Sequence, residues 1–378
     1  MKNYVANIAA AAALVCVIAG CKPSDGAKEF DLGLKAYEMH DLKKAEKLFA
    51  ECAALAPSNA DALLYLARVK LDAGDIPSAR SWVDKAAEFA GDDVDVKLVA
   101  AQIAWHEKDY AKASGGFTSV ADDTKLTPEL RAQGWTGLGI VEMAKENHHL
   151  ARIAFLRAIR LDRHSAAAWY HVGLVYRDAF GYYEAALEQF EIFVRLEAAA
   201  SPRVQKVLRT VIPALKEQIS REAANRPGVS KRDSAASATS LAKADAAWKK
   251  GNFRNARDAY QAALSADPLS YPAALGLAKA WEKTDTSKAG QTKAFESYKL
   301  ACSLRPGAIS TFLTTGDLAA RLGFHAQAAE IFSRAVAASP ASIQALDGLI
   351  RAFQRSGGHK ADARAYQLYR ESIPLKRK

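Results

Sequence analysis

The sequence predicts an all-α fold, an α-solenoid of about nine helix-turn-helix repeats arranged in two arrays. Three observations predict it. A 34-residue period runs through most of the chain. Inside each period, apolar residues recur at helical spacing. Turn-forming Gly, Asn and Pro return at fixed places.

The chain opens with Met1-Lys2-Asn3 and runs apolar from Tyr4 to Gly20, interrupted only by Asn7. This stretch is shorter than the ~20 residues a membrane-spanning helix needs. One positive charge, an Ala-rich core and small residues at its end read as an export signal over residues 1–20. The segment Val17-Ile18-Ala19-Gly20-Cys21 resembles the lipobox of bacterial lipoproteins. That resemblance implies cleavage before Cys21 and a diacylglyceryl anchor on its sulfur. Two acyl chains anchor stably where one is marginal. The competing reading is an uncleaved anchor. Residues 21–25 then form a tether. Lys22 stands where an Asp would hold an enterobacterial lipoprotein at the inner membrane, so the expected site is the periplasmic face of the outer membrane, if the cell has one.

The first array is expected over residues 26–200, as five repeats. The first carries Gly33, Ala45, Phe49, Cys52 and Pro57; the second Ala67, Ala79, Val83 and Ala86; the third Ala101, Ala113 and Phe117. Four extra residues, 128–131, precede the fourth, which carries Trp135, Gly139, Ala151, Phe155 and Ala158. The fifth has Trp169, Gly173 and Tyr176, then one inserted residue before Ala186, Phe190 and Phe193. Residues 201–236 break the period. Arg203 to Ala224 reads as an amphipathic capping helix kinked at Pro213, and Asn225 to Ser237 as a linker. A second array of about four repeats is expected over 237–378, ending in a basic tail. Its repeats carry Ala256 and Tyr260; Ala294, Tyr298 and Cys302; Gly316, Ala328 and Phe332; Ala363 and Tyr366. A four-residue insertion is placed in the turn before Ala294. The competing reading is one continuous superhelix.

The spacing has a mechanical reason. Positions 4, 7, 8 and 11 share one face of a first helix, and positions 20, 24 and 27 one face of a second. Small residues at 8 and 20 let the backbones approach, and the aromatic at 24 fills the space toward the next repeat. One repeat cannot bury its own apolar face, so stacking makes the core. This pattern resembles the tetratricopeptide repeat over nearly all of the chain beyond residue 25. The resemblance implies peptide or protein binding in a concave groove lined by positions 2, 5, 9, 12 and 13 of first helices. Candidate groove residues on that basis are Arg68, Gln102, Trp105, Met143, Tyr170 and Arg177 in the first array, and Trp248, Lys279 and Arg351 in the second. Trp105, Met143 and Tyr170 are larger than repeat packing requires. The first groove is read as taking an apolar or aromatic peptide, with Arg68 and Arg177 pairing its acidic groups. Phe30 and Leu34 stand where family members that grip a terminal carboxylate carry Lys and Asn, so that subgroup is not indicated.

No phosphate loop, HExxH, GxSxG or Cys/His metal cluster occurs, so neither catalysis nor a cofactor is expected. His148 and His149 are read as solvated turn residues, and Cys52 as a buried inert thiol. The charge is +10 overall but divided: residues 1–199 carry 23 basic and 28 acidic side chains, residues 200–378 carry 29 and 14. The basic half has three destinations open to it: an anionic surface such as a membrane, an acidic partner, or the acidic half of its own chain. Nucleic acid is excluded for an exported protein. The expected function is a lipid-anchored envelope scaffold that binds proteins and supports assembly of an envelope complex. The alternative is an envelope protein tied to carbohydrate handling, or an accessory subunit of an envelope enzyme.

Overall fold

The computed structural model describes residues 26–225, 229 and 232–373. The expected export signal, the lipobox-like segment with Cys21, the expected tether and the basic tail beyond residue 373 lie outside them. Among the described residues the regular structure is helical throughout, as consecutive antiparallel pairs. The chain divides into two compact units, Met1–Val141 and Glu142–Lys378.

The first unit runs α1 (Ala27–Glu38), α2 (Leu42–Leu55), α3 (Ala60–Asp72), α4 (Ile76–Ala90), α5 (Val94–His106), α6 (Tyr110–Ala121) and most of α7 (Pro128–Ala144). The helix starts explain the period. Asp41, Asp75 and Asp109 stand 34 residues apart, and each accepts a bond from the backbone N–H three residues on, at 3.1, 3.2 and 3.0 Å. Such caps satisfy amides that a helix cannot pair itself. The residue before each cap turns the chain through positive φ: His40 at 61°, Gly74 at 78°, Lys108 at 62°. Gly reaches that region freely; a residue with a Cβ is strained there. The four residues 128–131 are not a loop but the first turn of α7, which starts at Pro128 behind Thr127.

The second unit continues with α8 (His148–Leu161), α9 (Ala166–Leu174), α10 (Tyr183–Leu196), a short α11 (Pro202–Lys206) and α12 (Ile212–Ala224). Then follow α13 (Ser234–Lys249), α14 (Phe253–Ala266), α15 (Tyr271–Thr284), α16 (Lys288–Leu304), α17 (Ile309–Arg321), α18 (His325–Ala338), α19 (Ile343–Ser356) and α20 (Lys360–Glu371). Two π-helical turns mark the irregular places. Val175–Ala179, directly after α9, absorbs the inserted residue of the fifth repeat, since a π-turn holds one residue more per hydrogen bond. Val207–Val211 lies just before Pro213, so the chain meets the missing N–H by a π-turn that leads straight into α12. Leu215 of α12 is buried, and α12 packs on α10.

Two further boundaries differ from the repeat register. α13 begins at Ser234, capped by Asp233, and Ser237 is buried with its Oγ donating to the Ala263 carbonyl at 2.8 Å. The four residues inserted before Ala294 lengthen α16 to 17 residues instead of lengthening the turn. Ser287 caps it, accepting from Gly290 N.

The core is the predicted set of small and aromatic positions. Phe49, Phe155, Phe190 and Phe332 are at most 2 % exposed, and so are Ala45, Ala79, Ala113, Ala151, Ala186, Ala256, Ala294 and Ala328. The aromatic at position 24 is wedged between two first helices. A Cβ on Gly316 of its own repeat would lie 2.6 Å from the Phe332 ring, and a Cβ on Gly348 of the next repeat 2.4 Å. Glycine is required there because the ring occupies the place a side chain would take. Cys52 is buried, and burial raises its thiol pKa.

Candidate binding cleft

The predicted first-array groove residues are largely engaged within the chain. Arg68 binds Asp95 at 2.7 Å and lies 5.1 Å from the Tyr65 ring centroid. Tyr65 in turn fills the space between Phe30, Tyr37 and Phe49, with ring centroids 5.1–5.8 Å apart. Trp105 is half-buried against the core formed by Leu98, Ala101 and Val120, and its indole Nε1 is buried without a partner. Gln102 is exposed.

In the second unit Met143 is half-buried. Tyr170 packs on Phe193 at 5.1 Å and carries Arg203 over its ring at 5.3 Å. Arg177 grips Asp178 with two bonds, 2.5 and 2.8 Å. The two arginines expected to hold a partner's acids thus already hold Asp95 and Asp178.

The helices from α13 onward differ. Trp248 and Lys279, both predicted, come together in a cleft of about 290 Å³ with Tyr260, Tyr271, Leu275 and Arg305. Each wall has a local cause. Trp248 ends α13 and is held edge-on by Phe253 across the turn, 4.9 Å between centroids. Tyr260 of α14 enters the cleft floor because Gly276 of α15 has no Cβ; one would lie 2.4 Å from the ring. Its hydroxyl donates to Asp245 at 2.7 Å, and burial together with that carboxylate pushes the phenol pKa up. Tyr271 opens α15 and is tied to Thr311 Oγ1 at 2.9 Å. Arg305, in the turn after α16, stacks its guanidinium 4.4 Å over the Tyr271 ring.

The charge of the cleft is unbalanced. Asp245 is occupied by the tyrosine proton. Lys279 and Arg305 are exposed, and among the described residues neither forms an ion pair. An apolar aromatic floor with two open cations on its rim suits a segment that brings both an apolar side chain and a carboxylate. At this size it sits at the small end of ligand clefts, which run ~300–1,000 Å³. Arg351 lies away from it, exposed at a notch of about 20 Å³ beside Asp317 and Arg355. The sequence reading missed Tyr271 and Arg305. Both stand outside groove positions, and only the fold of the turn after α16 brings Arg305 over Tyr271. Among the described residues no group of His, Cys, Asp and Glu is placed to hold a metal ion.

Two family models, each described as tetratricopeptide repeat, match the chain, one over residues 36–115, the other over residues 136–202 and 241–308. Together they cover more than half of it. The chain is a tetratricopeptide-repeat protein. A search of the curated proteins finds no match. Among solved structures this repeat protein is similar to one described as the functional characterization of Pseudomonas aeruginosa pilF, at 16% identity and TM-score 0.40, over 66% of this chain and 94% of that one. It is similar to PilW, described as a widely conserved type IV pilus biogenesis factor, at 14% identity and TM-score 0.39, over 66% and 96%. It is also similar to MamA, at 18% identity and TM-score 0.34, over 49% and 94%. Likeness this distant transfers no function. As a tetratricopeptide-repeat protein, the chain is built for protein–protein interaction. None of its described helices is long and apolar enough to cross a membrane.

Proposed function

We propose that this repeat protein is a lipid-anchored scaffold of the cell envelope, held by Cys21, whose second array captures an acidic segment of a partner protein. The observation that carries the capture is the pair Lys279 and Arg305, which form no ion pair among the described residues, on the rim of the Trp248–Tyr260–Tyr271 cleft. A Leu, Phe or Trp of the partner enters the cleft, and flanking Asp or Glu meets the two cations. Arg305 stacked on Tyr271 is held in place before binding, which lowers the entropy lost on association. The export signal and lipobox support the envelope location, and the absence of any recognised catalytic motif supports a scaffold over an enzyme.

The test is photo-crosslinking from position Leu275 in membranes, compared between the wild-type chain and the double variant Lys279→Glu/Arg305→Glu. A protein adduct that disappears in the double variant, at unchanged helicity, supports the reading. An adduct insensitive to charge reversal refutes the acidic-segment assignment. Copurified glycan in place of protein favours the carbohydrate-handling alternative. Separately, Cys21→Ser should release the chain from the membrane fraction.

A further inference from the structure

Within the second unit, helices far apart in sequence meet. α20 packs on α8, and residues of α18 and α19 join the contact. Its centre is Arg152, which is fully buried. Arg152 Nε donates to Tyr366 Oη at 2.7 Å, and its Nη2 donates to the same oxygen. Nη1 donates to Ser333 Oγ at 2.9 Å and to the Ser333 carbonyl at 3.2 Å. The guanidinium lies 4.8 Å from the Phe180 ring and 5.1 Å from the Tyr366 ring. None of these partners is a carboxylate. His149, nearly one turn earlier on α8, is therefore not a solvated turn residue: its ring lies 5.0 Å from both Phe180 and Phe353, and its Nδ1 is 3.2 Å from Tyr366 Oη.

The hydrogen-bond count constrains His149. Tyr366 Oη already accepts two N–H groups from Arg152, which fills its acceptor capacity. Its own proton is left to donate to His149 Nδ1, and that nitrogen accepts only when the imidazole is neutral. A protonated ring would aim an N–H at a filled oxygen and set a second cation beside a buried arginine that lacks a counter-charge. We propose that this junction is an acid-released clasp: at neutral pH it holds α20 and the end of the second array on α8, and protonation of His149 opens it.

The groups around His149 agree. From its own helix come Arg152 and His148. From the other side come Tyr366 and His359, the latter with its ring 6.5 Å away and bonded to Asp362 at 3.0 Å. Phe180 and Phe353 are uncharged. Asp362, the acid beside His359, is thus engaged by a different imidazole. Burial first, then Arg152, His359 and His148, push the His149 pKa down to about 3 from its ordinary 6.5. The sign follows from linkage. The closed form needs the neutral ring and the open form titrates normally, so the clasp is intact above pH 6.5 and weakens as pH falls below it. Between about pH 7.5 and pH 5.0 the opening equilibrium rises about 30-fold.

The experiment is amide hydrogen exchange of the full chain at pH 7.5 and 5.0, corrected for the intrinsic rate. Amides of α20 should open about 30-fold more at the lower pH, while those of α14 to α16 keep their protection. His149→Gln, which stays neutral, and His149→Phe, which keeps the ring packing, should both lose the acid step. His359→Gln should keep it. Protection of α20 that ignores pH, an acid step that survives both His149 variants, or one that vanishes in His359→Gln would overturn the proposal.

Discussion

Gly316→Ala should destabilise the second unit although alanine is the better helix former. The Phe332 ring is approached from two sides, by Gly316 of α17 and Gly348 of α19. A Cβ at Gly316 would sit 2.6 Å from the ring, about 0.8 Å inside ordinary contact. The ring cannot retreat freely, because Gly348 already faces it at a built Cβ distance of 2.4 Å and the phenylalanine is 2 % exposed. Overpacking of this kind costs ~1–3 kcal/mol. Helix propensity returns ~1 kcal/mol. The net loss is about 1–2 kcal/mol at the upper end of the overlap. Gly115→Ala is the matched control: Gly115 is helical, exposed and has nothing within 4 Å of a built Cβ, so it should gain ~0.5–1 kcal/mol. Urea unfolding followed by circular dichroism measures both. Hydrogen exchange in α17 and α18 localises the loss. Phe332→Leu added to Gly316→Ala should cost less than the sum of the single changes, because the smaller side chain vacates the contested space. If Gly316→Ala stabilises the protein as Gly115→Ala does, the wedge account of position 24 is wrong.

Two more outcomes follow from the turns and the thiols. Lys108 holds φ of 62° with a Cβ in place, so Lys108→Gly should raise stability by about 0.5–1 kcal/mol, read as a higher melting temperature; an unchanged or lower one contradicts the strain. Burial pushes the Cys302 thiol up to about 11, so at pH 8 iodoacetamide should label it about a hundredfold more slowly in the native chain than in urea; equal rates would place the thiol in solvent.

The repeat lengths and most of the core were legible in the sequence because each depends on a few residues close along the chain. Phe49 and Phe332 follow from spacing alone, whereas the caps at Asp41, Asp75 and Asp109 were seen only once their side chains were placed on the helix starts. Insertions were harder to read. One extra residue became the π-turn at Val175–Ala179, and four became an extra turn of α16, because a helix can absorb residues that a turn would otherwise hold. The groove residues were legible as positions but not as states. Nothing in the spacing tells that Arg68 meets Asp95 or that Arg177 meets Asp178, whereas Lys279 and Arg305 stay open.

By itself the sequence determined an all-helical repeat architecture, its turns and the small-and-aromatic core, since these arise from helical periodicity within about 34 residues. It also set the division of charge near residue 200. Tertiary structure alone decided which side chains are spent on internal contacts and which remain available. It decided one destination of the basic half as well. The end of the second array lies on α8, where Arg152 meets Tyr366 and Ser333 across 181–214 residues of chain. That contact is not the attraction of opposite charges that composition suggests. It is a buried cation held by neutral oxygens and ring faces, and no local pattern specifies partners so far apart.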